Sequence, residues 1–353
     1  MEDLSPGEPR GREVLVEVKA AGLCHSDMNV ATIDRGRTLP LIAGHEMAGV
    51  VRAVGAEVRN LRVGDHVVGT EVRLCGECEE CVAGAPFRCL APESLERGAD
   101  EPPRFTRGGD RVATLGISAF AEVSIAHENQ LVRIPREVPF PQASIISCAV
   151  STGVGAVLNA ARVRPGETVA VIGLGGVGLN IVQGARLAGA ERIIGVDVSA
   201  DKLDFARRFG ATDVVDAQSE DVVERVRELS GRGVHHAFEC SGARAPLDQA
   251  LLLPRKGGTT YLIGIPRDPR PLEIQPLPTL IGAQRSVTGV YMGSTDPRRD
   301  IPLLCEFYLQ GRLNLDDLVA REIDICQINE AYADQAAGAL ARTVITSFGS
   351  DSL

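Results

Sequence analysis

The sequence predicts an α/β protein in two parts, one β-rich and one a doubly wound parallel sheet. Three observations carry this. At 353 residues, the chain is long enough for about two domains of roughly 150 residues each. Its first part holds short β-branched runs separated by glycine turns. From residue 151 onward, apolar strands alternate with helical spacers, the pattern of βαβ units covered on both faces.

In the first part, Val14–Val18 alternates as a strand, and His45–Val54 and His66–Val68 are further β runs with Gly55 and Gly64 as turns. Residues 75–111 are rich in Cys, Gly, Pro and charge, and read as a lobe of irregular loop that needs something to hold it. In the second part, Thr168–Ile172 is a compact strand, 176–187 a helix, Arg192–Val196 a strand, and 201–209 a helix stopped by Gly210. Val214–Val215, Ala237–Phe238 and Thr260–Ile263 continue the alternation. Helical period returns over 301–309 and 328–339, and Thr343–Thr346 closes as a strand.

Composition narrows the function. A net charge of −10 offers no basic field for phosphate backbones, so nucleic acid is not an expected partner. No run approaches the roughly 20 apolar residues that span a bilayer, and no membrane partner is expected. The polar start, MEDLSPGEPRGREV, lacks an apolar signal core, which predicts a cytoplasmic protein. Nine cysteines, an odd number, argue against a disulfide framework, and four of them crowd between Cys75 and Cys89, which points to metal.

Gly173-Leu174-Gly175-Gly176-Val177-Gly178 fits G-x-G-x-x-G between a strand and a helix, with Asp197 at the end of the next strand. In that setting the motif marks a dinucleotide site of the Rossmann kind. Gly173, Gly175, Gly176, Val177 and Gly178 bring the backbone and the helix N-terminus to the pyrophosphate. Asp197 would accept from the adenosine ribose hydroxyls and repel a 2′-phosphate, favouring NAD over NADP.

Cys75, Cys78, Cys81 and Cys89 follow C-x2-C-x2-C-x7-C, the donor set of a closed tetrahedral zinc. A nucleic-acid-binding zinc ribbon is the alternative, disfavoured by the charge and the glycine motif. Cys24, His45 and Cys148 are dispersed. Spacing leaves them open between core cysteines with a loop histidine and a three-ligand catalytic metal site.

With these motifs in this order, the sequence resembles the zinc-dependent medium-chain alcohol dehydrogenases, especially the class I and glutathione-dependent formaldehyde dehydrogenase branch. The likeness runs from Cys24-His25-Ser26-Asp27 and Gly44-His45-Glu46 through the four-Cys lobe, Cys148–Thr152 and the glycine turn to Arg342-Thr343. It implies a GroES-like β-rich catalytic domain from 1–150 and 289–353, a Rossmann domain from 151–288, a crevice between them for the substrate, two zinc ions and NAD. Cys24, His45 and Cys148 are implied as catalytic zinc ligands, with Glu46 behind them or as an alternate ligand. The resemblance implies Ser26 on the substrate oxygen, Asp27 on His45, Thr152 against the nicotinamide, Lys202 on the ribose and Arg342 on the pyrophosphate. The reaction implied is hydride transfer between a small alcohol and its aldehyde or ketone.

Some positions depart from relatives. Asn29 stands where several place the last histidine of a proton relay, and His25 where many place an arginine near the pyrophosphate. Glu71 replaces a pocket aromatic, which implies a polar or cationic substrate unless it turns to solvent. Relatives carry a further segment ahead of Glu2, so the chain reads as truncated or as starting upstream. The length from Cys89 to Cys148 resembles that of dimeric members, and Tyr261–Ile265 with Ser286–Tyr291 are candidate strands for a homodimer sheet. Polyol or S-hydroxymethyl-thiol dehydrogenases, a zinc-free reductase, and a silent NAD- and zinc-binding sensor are the competing readings.

Overall fold

The computed structural model describes residues 2–33, 36–98, 100–266, 268, 270–338 and 340–349. It forms two compact units, one from Met1–Ser151 with Thr295–Leu353 and one from Thr152–Ser294. In the second unit, Val290 N donates to Leu262 O at 3.0 Å and holds the turn after the last sheet strand.

The first unit is organised by one strand, Glu13–Gly22, longer than the sequence suggested. Its Val14, Val16, Val18 and Ala20 point inward and are buried, the period of two of a half-covered strand. It pairs antiparallel with Glu46–Val54, with Val123–His127 and, at its end, with Arg342–Ser347. Val14, Val16, Met47, Val67, Ile117 and Ile345 fill the core beneath this seven-stranded sheet. Because Gly22 sits opposite both Glu46 and Val344, the chain's last strand is brought beside His45-Glu46.

The lobe is less irregular than expected. Short helices at Glu79–Val82, Pro86–Arg88 and Pro92–Leu95 are followed by a hairpin of Phe105–Arg107 and Asp110–Thr114. Gly108 and Gly109 have φ of 58° and 97°, the left-handed conformation that a two-residue hairpin turn requires. Ion pairs fasten the lobe, those on the central strand's Glu13 being buried. Arg97 and Arg104 both donate to Glu13, and Arg104 and Arg73 to Glu96. Asn129 Nδ2 also donates to the carbonyls of Leu74 and Cys75 at 3.0 Å each.

The chain passes from the first unit to the second along a helix absent from the sequence reading, Phe140–Ala161. Two stretches of it, Ile146–Val150 and Ala156–Ala161, are wound as π-helix. Its 22 residues are long and apolar enough to cross a membrane by length and composition, but most of the helix is buried inside the protein. Apolar residues on every face are what a core helix shows.

The second unit is a six-stranded parallel sheet. Its order is Asp213–Asp216, Arg192–Asp197, Thr168–Ile172, Val234–Glu239, Pro254–Leu262 and Ser286–Gly289. Chain order reverses between Thr168–Ile172 and Val234–Glu239, the switch point where ligands of such sheets bind. Pro254–Leu262 is paired on both sides, so Tyr261 lies inside the sheet and is 5% exposed. The expectation that Tyr261–Ile265 could extend the sheet is therefore corrected: among the described residues, Ser286–Gly289 is the strand at the open edge on that side.

Candidate active site and nucleotide site

The pairing of Gly22 with Glu46 creates the metal-binding corner. Cys24 follows the central strand and starts the helix His25–Thr32, while His45 immediately precedes the partner strand. Cys148 comes from the first π-helical stretch of Phe140–Ala161, which packs on Glu46–Val54. One donor atom each from Cys24, His45, Glu46 and Cys148 lies within 4.8 Å of the others. A side chain at Gly22 would not fit, since its Cβ would fall 2.1 Å from Glu46 Oε2.

The surroundings suit a cation. The Cys24 thiol is held well below its ordinary range by a hydrogen bond from Cys148, against burial and with help from His45, while Cys148 is pushed well above. Burial lowers the His45 pKa, but the Cys24 and Asp27 charges outweigh it and raise it well above the ordinary value. Burial pushes Glu46 up to about 7 despite the facing Arg342 guanidinium, and Glu46 Oε2 has no hydrogen-bond partner among the described residues. Sulfur and imidazole donors beside an orphaned carboxylate oxygen fit a bound zinc ion.

Asp27 Oδ1 lies 3.0 Å from His45 Nδ1. A carboxylate only accepts, so Nδ1 carries a proton, and Nε2 is the nitrogen left to bind a metal once the ring is neutral. Ser26 Oγ sits 3.2 Å from Cys24 Sγ and 3.3 Å from His45 Nε2. Glu71 packs over Gly116 and is half-buried; desolvation raises its pKa, and the charges of His45 and Asp27 reach it. It therefore does not turn out to solvent. His25 is exposed at the first helical position and Asn29 is half-buried on the same helix.

Arg342 is 5% exposed and donates to Glu46 Oε1. The resemblance implied a pyrophosphate partner; in this structure the guanidinium is paired with a carboxylate beside the metal donors. No sequence signal pointed to that pairing, which arises only from the meeting of three strands at Gly22.

A second cluster is formed by Cys75, Cys78, Cys81 and Cys89, again with sulfurs within 4.8 Å of one another. Backbone N–H groups of Glu77 and Cys78 aim at Cys75 Sγ and lower its pKa, and Cys75 N donates to Cys89 Sγ at 3.2 Å. N–H groups converging on sulfur favour thiolates, the form that binds zinc.

In the second unit, Gly173 takes φ of 93° and the helix Gly176–Leu187 begins after Gly175. Gly178 lies against the turn so closely that a Cβ would meet Gly173 O at 1.9 Å. Asp197 ends its strand with both oxygens engaged. Oδ2 accepts from Leu174 N at 2.7 Å, and Oδ1 from Val198 N at 2.8 Å and Ser199 N at 3.1 Å. The carboxylate thus shapes the glycine turn. Lys202 is half-buried on the next helix, and Thr152 is 7% exposed with Oγ1 3.8 Å from Met292 Sδ.

The sequence reading missed Glu239. It is fully buried at the end of Val234–Glu239 and accepts from Ser241 N, Ser241 Oγ and Gly242 N. Burial raises its pKa against those bonds. Ser241 in turn abuts Gly173, so Glu239 fixes the opposite wall of the switch point. Its signal was an acid closing an apolar strand before Cys-Ser-Gly.

A β-rich unit with a cysteine–histidine metal corner, joined to a parallel sheet with a glycine turn, defines a zinc-dependent nicotinamide dehydrogenase. Residues 10–136 match the family model for an alcohol dehydrogenase GroES-like domain, and 176–310 that for a zinc-binding dehydrogenase. The chain is 34% identical to the alcohol dehydrogenase class-P of Arabidopsis thaliana, over 98% of this chain and 93% of that one. It is also 34% identical to a probable S-(hydroxymethyl)glutathione dehydrogenase 1 of Schizosaccharomyces pombe, with the same coverage of 98% and 93%. The crystal structure of benzyl alcohol dehydrogenase from Acinetobacter calcoaceticus superposes with a TM-score of 0.91 at 30% identity, covering 98% of this chain and 94% of that one. The chain belongs to the zinc-dependent medium-chain alcohol dehydrogenase family and is an oxidoreductase that uses zinc and a nicotinamide cofactor.

Proposed function

We propose that the protein interconverts an alcohol and its aldehyde or ketone with NAD, through zinc held by Cys24, His45 and Cys148. The observation that carries this is the convergence of those donor atoms with Glu46 within 4.8 Å. Cys24, His45 and Cys148 would hold a zinc ion there that would supply Lewis acidity toward the substrate oxygen, and a nicotinamide cofactor would supply the hydride chemistry. Asp27 keeps His45 in its ligating tautomer. Ser26, beside two of the ligand atoms, accepts a hydrogen bond from the alcohol and passes its proton on. Asn29 cannot titrate, so the proton leaves the helix by another route. Glu46 and Arg342 neutralise one another behind the metal. Glu71 gives the pocket a polar wall. Thr152 and His25 contact the cofactor, and Lys202 the ribose. Asp197 selects NAD by facing the ribose hydroxyls with negative charge. We assign catalysis to 1–150 with 289–353, and nucleotide binding to 151–288.

The test is to add NAD and a panel of short, branched, benzylic and amino alcohols and follow the reduced cofactor's absorbance, before and after chelation and after zinc is restored. Activity that survives in metal-free protein overturns the proposal. The fission-yeast relative, at the same identity as the plant one, supports a second substrate class. Formaldehyde with a thiol belongs in the panel, and a rate that needs both would select it.

We further propose a cytoplasmic homodimer. Eight of the free cysteines fall in or beside the two metal clusters or are buried or half-buried, a state kept by a reducing compartment. The open edge Ser286–Gly289 lies in a stretch with exposed Leu277, Ile281 and Tyr291, as a covered edge would require. Light scattering in solution tests the dimer: a monomer mass overturns it.

A further inference from the structure

We propose that a buried water, held by Tyr332, Gln335 and Asp27, positions the Asp27–His45 pair behind the metal; this rests on Cys24, His45 and Cys148 binding zinc. The helix Ile328–Ala336 carries Tyr332 and Gln335 three residues apart, hence on one face. Gln335 Nε2 donates to Leu23 O at 3.4 Å, one residue before Cys24. The Tyr332 ring packs on the core cluster containing Leu23 and Met47, and the charge of Asp27 reaches its phenol.

Three buried polar atoms on these residues have no hydrogen-bond partner among the described residues: Asp27 Oδ2, Tyr332 Oη and Gln335 Oε1. Asp27 Oδ1 is already taken by His45. Their chemistry is complementary. The carboxylate and amide oxygens only accept, while the phenol can donate. One water donates to both oxygens and accepts from the phenol, making about three bonds, the usual number for a buried water. Held from behind in this way, the Asp27 carboxylate keeps Oδ1 aimed at the imidazole. Tyr332 and Gln335 are thereby positioning residues for the metal site, although neither touches substrate or cofactor.

The experiment uses the full zinc-loaded chain. Zinc release to a chelator is measured for the wild type, Tyr332→Phe and Gln335→Leu, with the four-Cys site as internal reference. Cobalt-substituted samples report the geometry of the three-ligand site by their visible spectrum. Each variant is expected to bind zinc about tenfold more weakly at the three-ligand site, the scale for losing an outer partner of a ligating histidine. The four-Cys site should stay unchanged, and the cobalt bands should shift. Equal affinity and an unchanged spectrum in both variants overturn the proposal. So does equal weakening of both metal sites, which would mark a general loss of stability. If the wild type itself takes up no zinc at Cys24, His45 and Cys148, the functional reading fails instead.

Discussion

Replacing Asp197 with asparagine changes almost no volume but swaps one acceptor oxygen for a donor. Three backbone N–H groups converge on that carboxylate: Leu174 on one oxygen, Val198 and Ser199 on the other. The amide keeps two of these bonds by facing its oxygen to Val198 and Ser199. Its nitrogen then meets the N–H of Leu174, whose residue is fully buried. A buried donor stripped of its acceptor costs about 1–3 kcal/mol. If that cost is borne when the glycine turn closes on the nucleotide, NADH binds about 5- to 150-fold more weakly, at 1.4 kcal/mol per tenfold. Fluorescence titration of NADH measures this directly, with thermal unfolding of the free protein recorded alongside. A dissociation constant within about twofold of the wild type would refute the reasoning; it would mean that the carboxylate does not shape the turn.

Gly178→Ala places a methyl group where Gly173 O stands 1.9 Å away. It should weaken NADH binding or lower stability by about 1–3 kcal/mol, read by the same titration and by urea unfolding. Cys81→Ser removes a buried sulfur from the four-Cys cluster; zinc content should fall from about two ions to one per chain, and limited proteolysis should open the lobe, because such sites contribute folding energy outright. Burial raises the Glu13 carboxyl, but hydrogen bonds from Arg97 and Arg104 outweigh it and leave the pKa below its ordinary value of 4.5. A depressed folded pKa adds stability above pH 4.5 that is lost as pH falls through the folded value. Glu13→Gln should therefore cost about 3–5 kcal/mol at pH 7 in urea unfolding and show a smaller loss of stability on acidification than the wild type. Equal acid profiles would count against the pairing.

The parallel sheet was legible because its central strands are apolar runs with helical spacers between them, and the glycine turn lies where the first such strand ends. The four-Cys lobe was legible because its ligands are local. Cys24, His45 and Cys148 were legible only through resemblance, since what unites them is an antiparallel register and a distant helix. That helix escaped notice for a physical reason. It is covered on every face, so no polar stripe marks a period of 3.6, and its π-wound stretches would blur such a period further. The hairpin Phe105–Thr114 was hidden by short polar strands, although Gly108-Gly109 was a turn signal in plain view. Tyr332 and Gln335 carry no motif, and the motifs that hold Glu46 and Arg342 do not reveal that the two pair, because those roles come from who faces them in the fold.

The way the lobe is anchored has a consequence for solution behaviour. Glu13, Arg97 and Arg104 have side chains that are at most 7% exposed. Added salt screens exposed charges over a Debye length of about 10 Å at 0.1 M but scarcely reaches buried ones. The attachment should thus be indifferent to ionic strength, and brine that disperses the protein's surface pairs would leave the metal-bearing lobe in place.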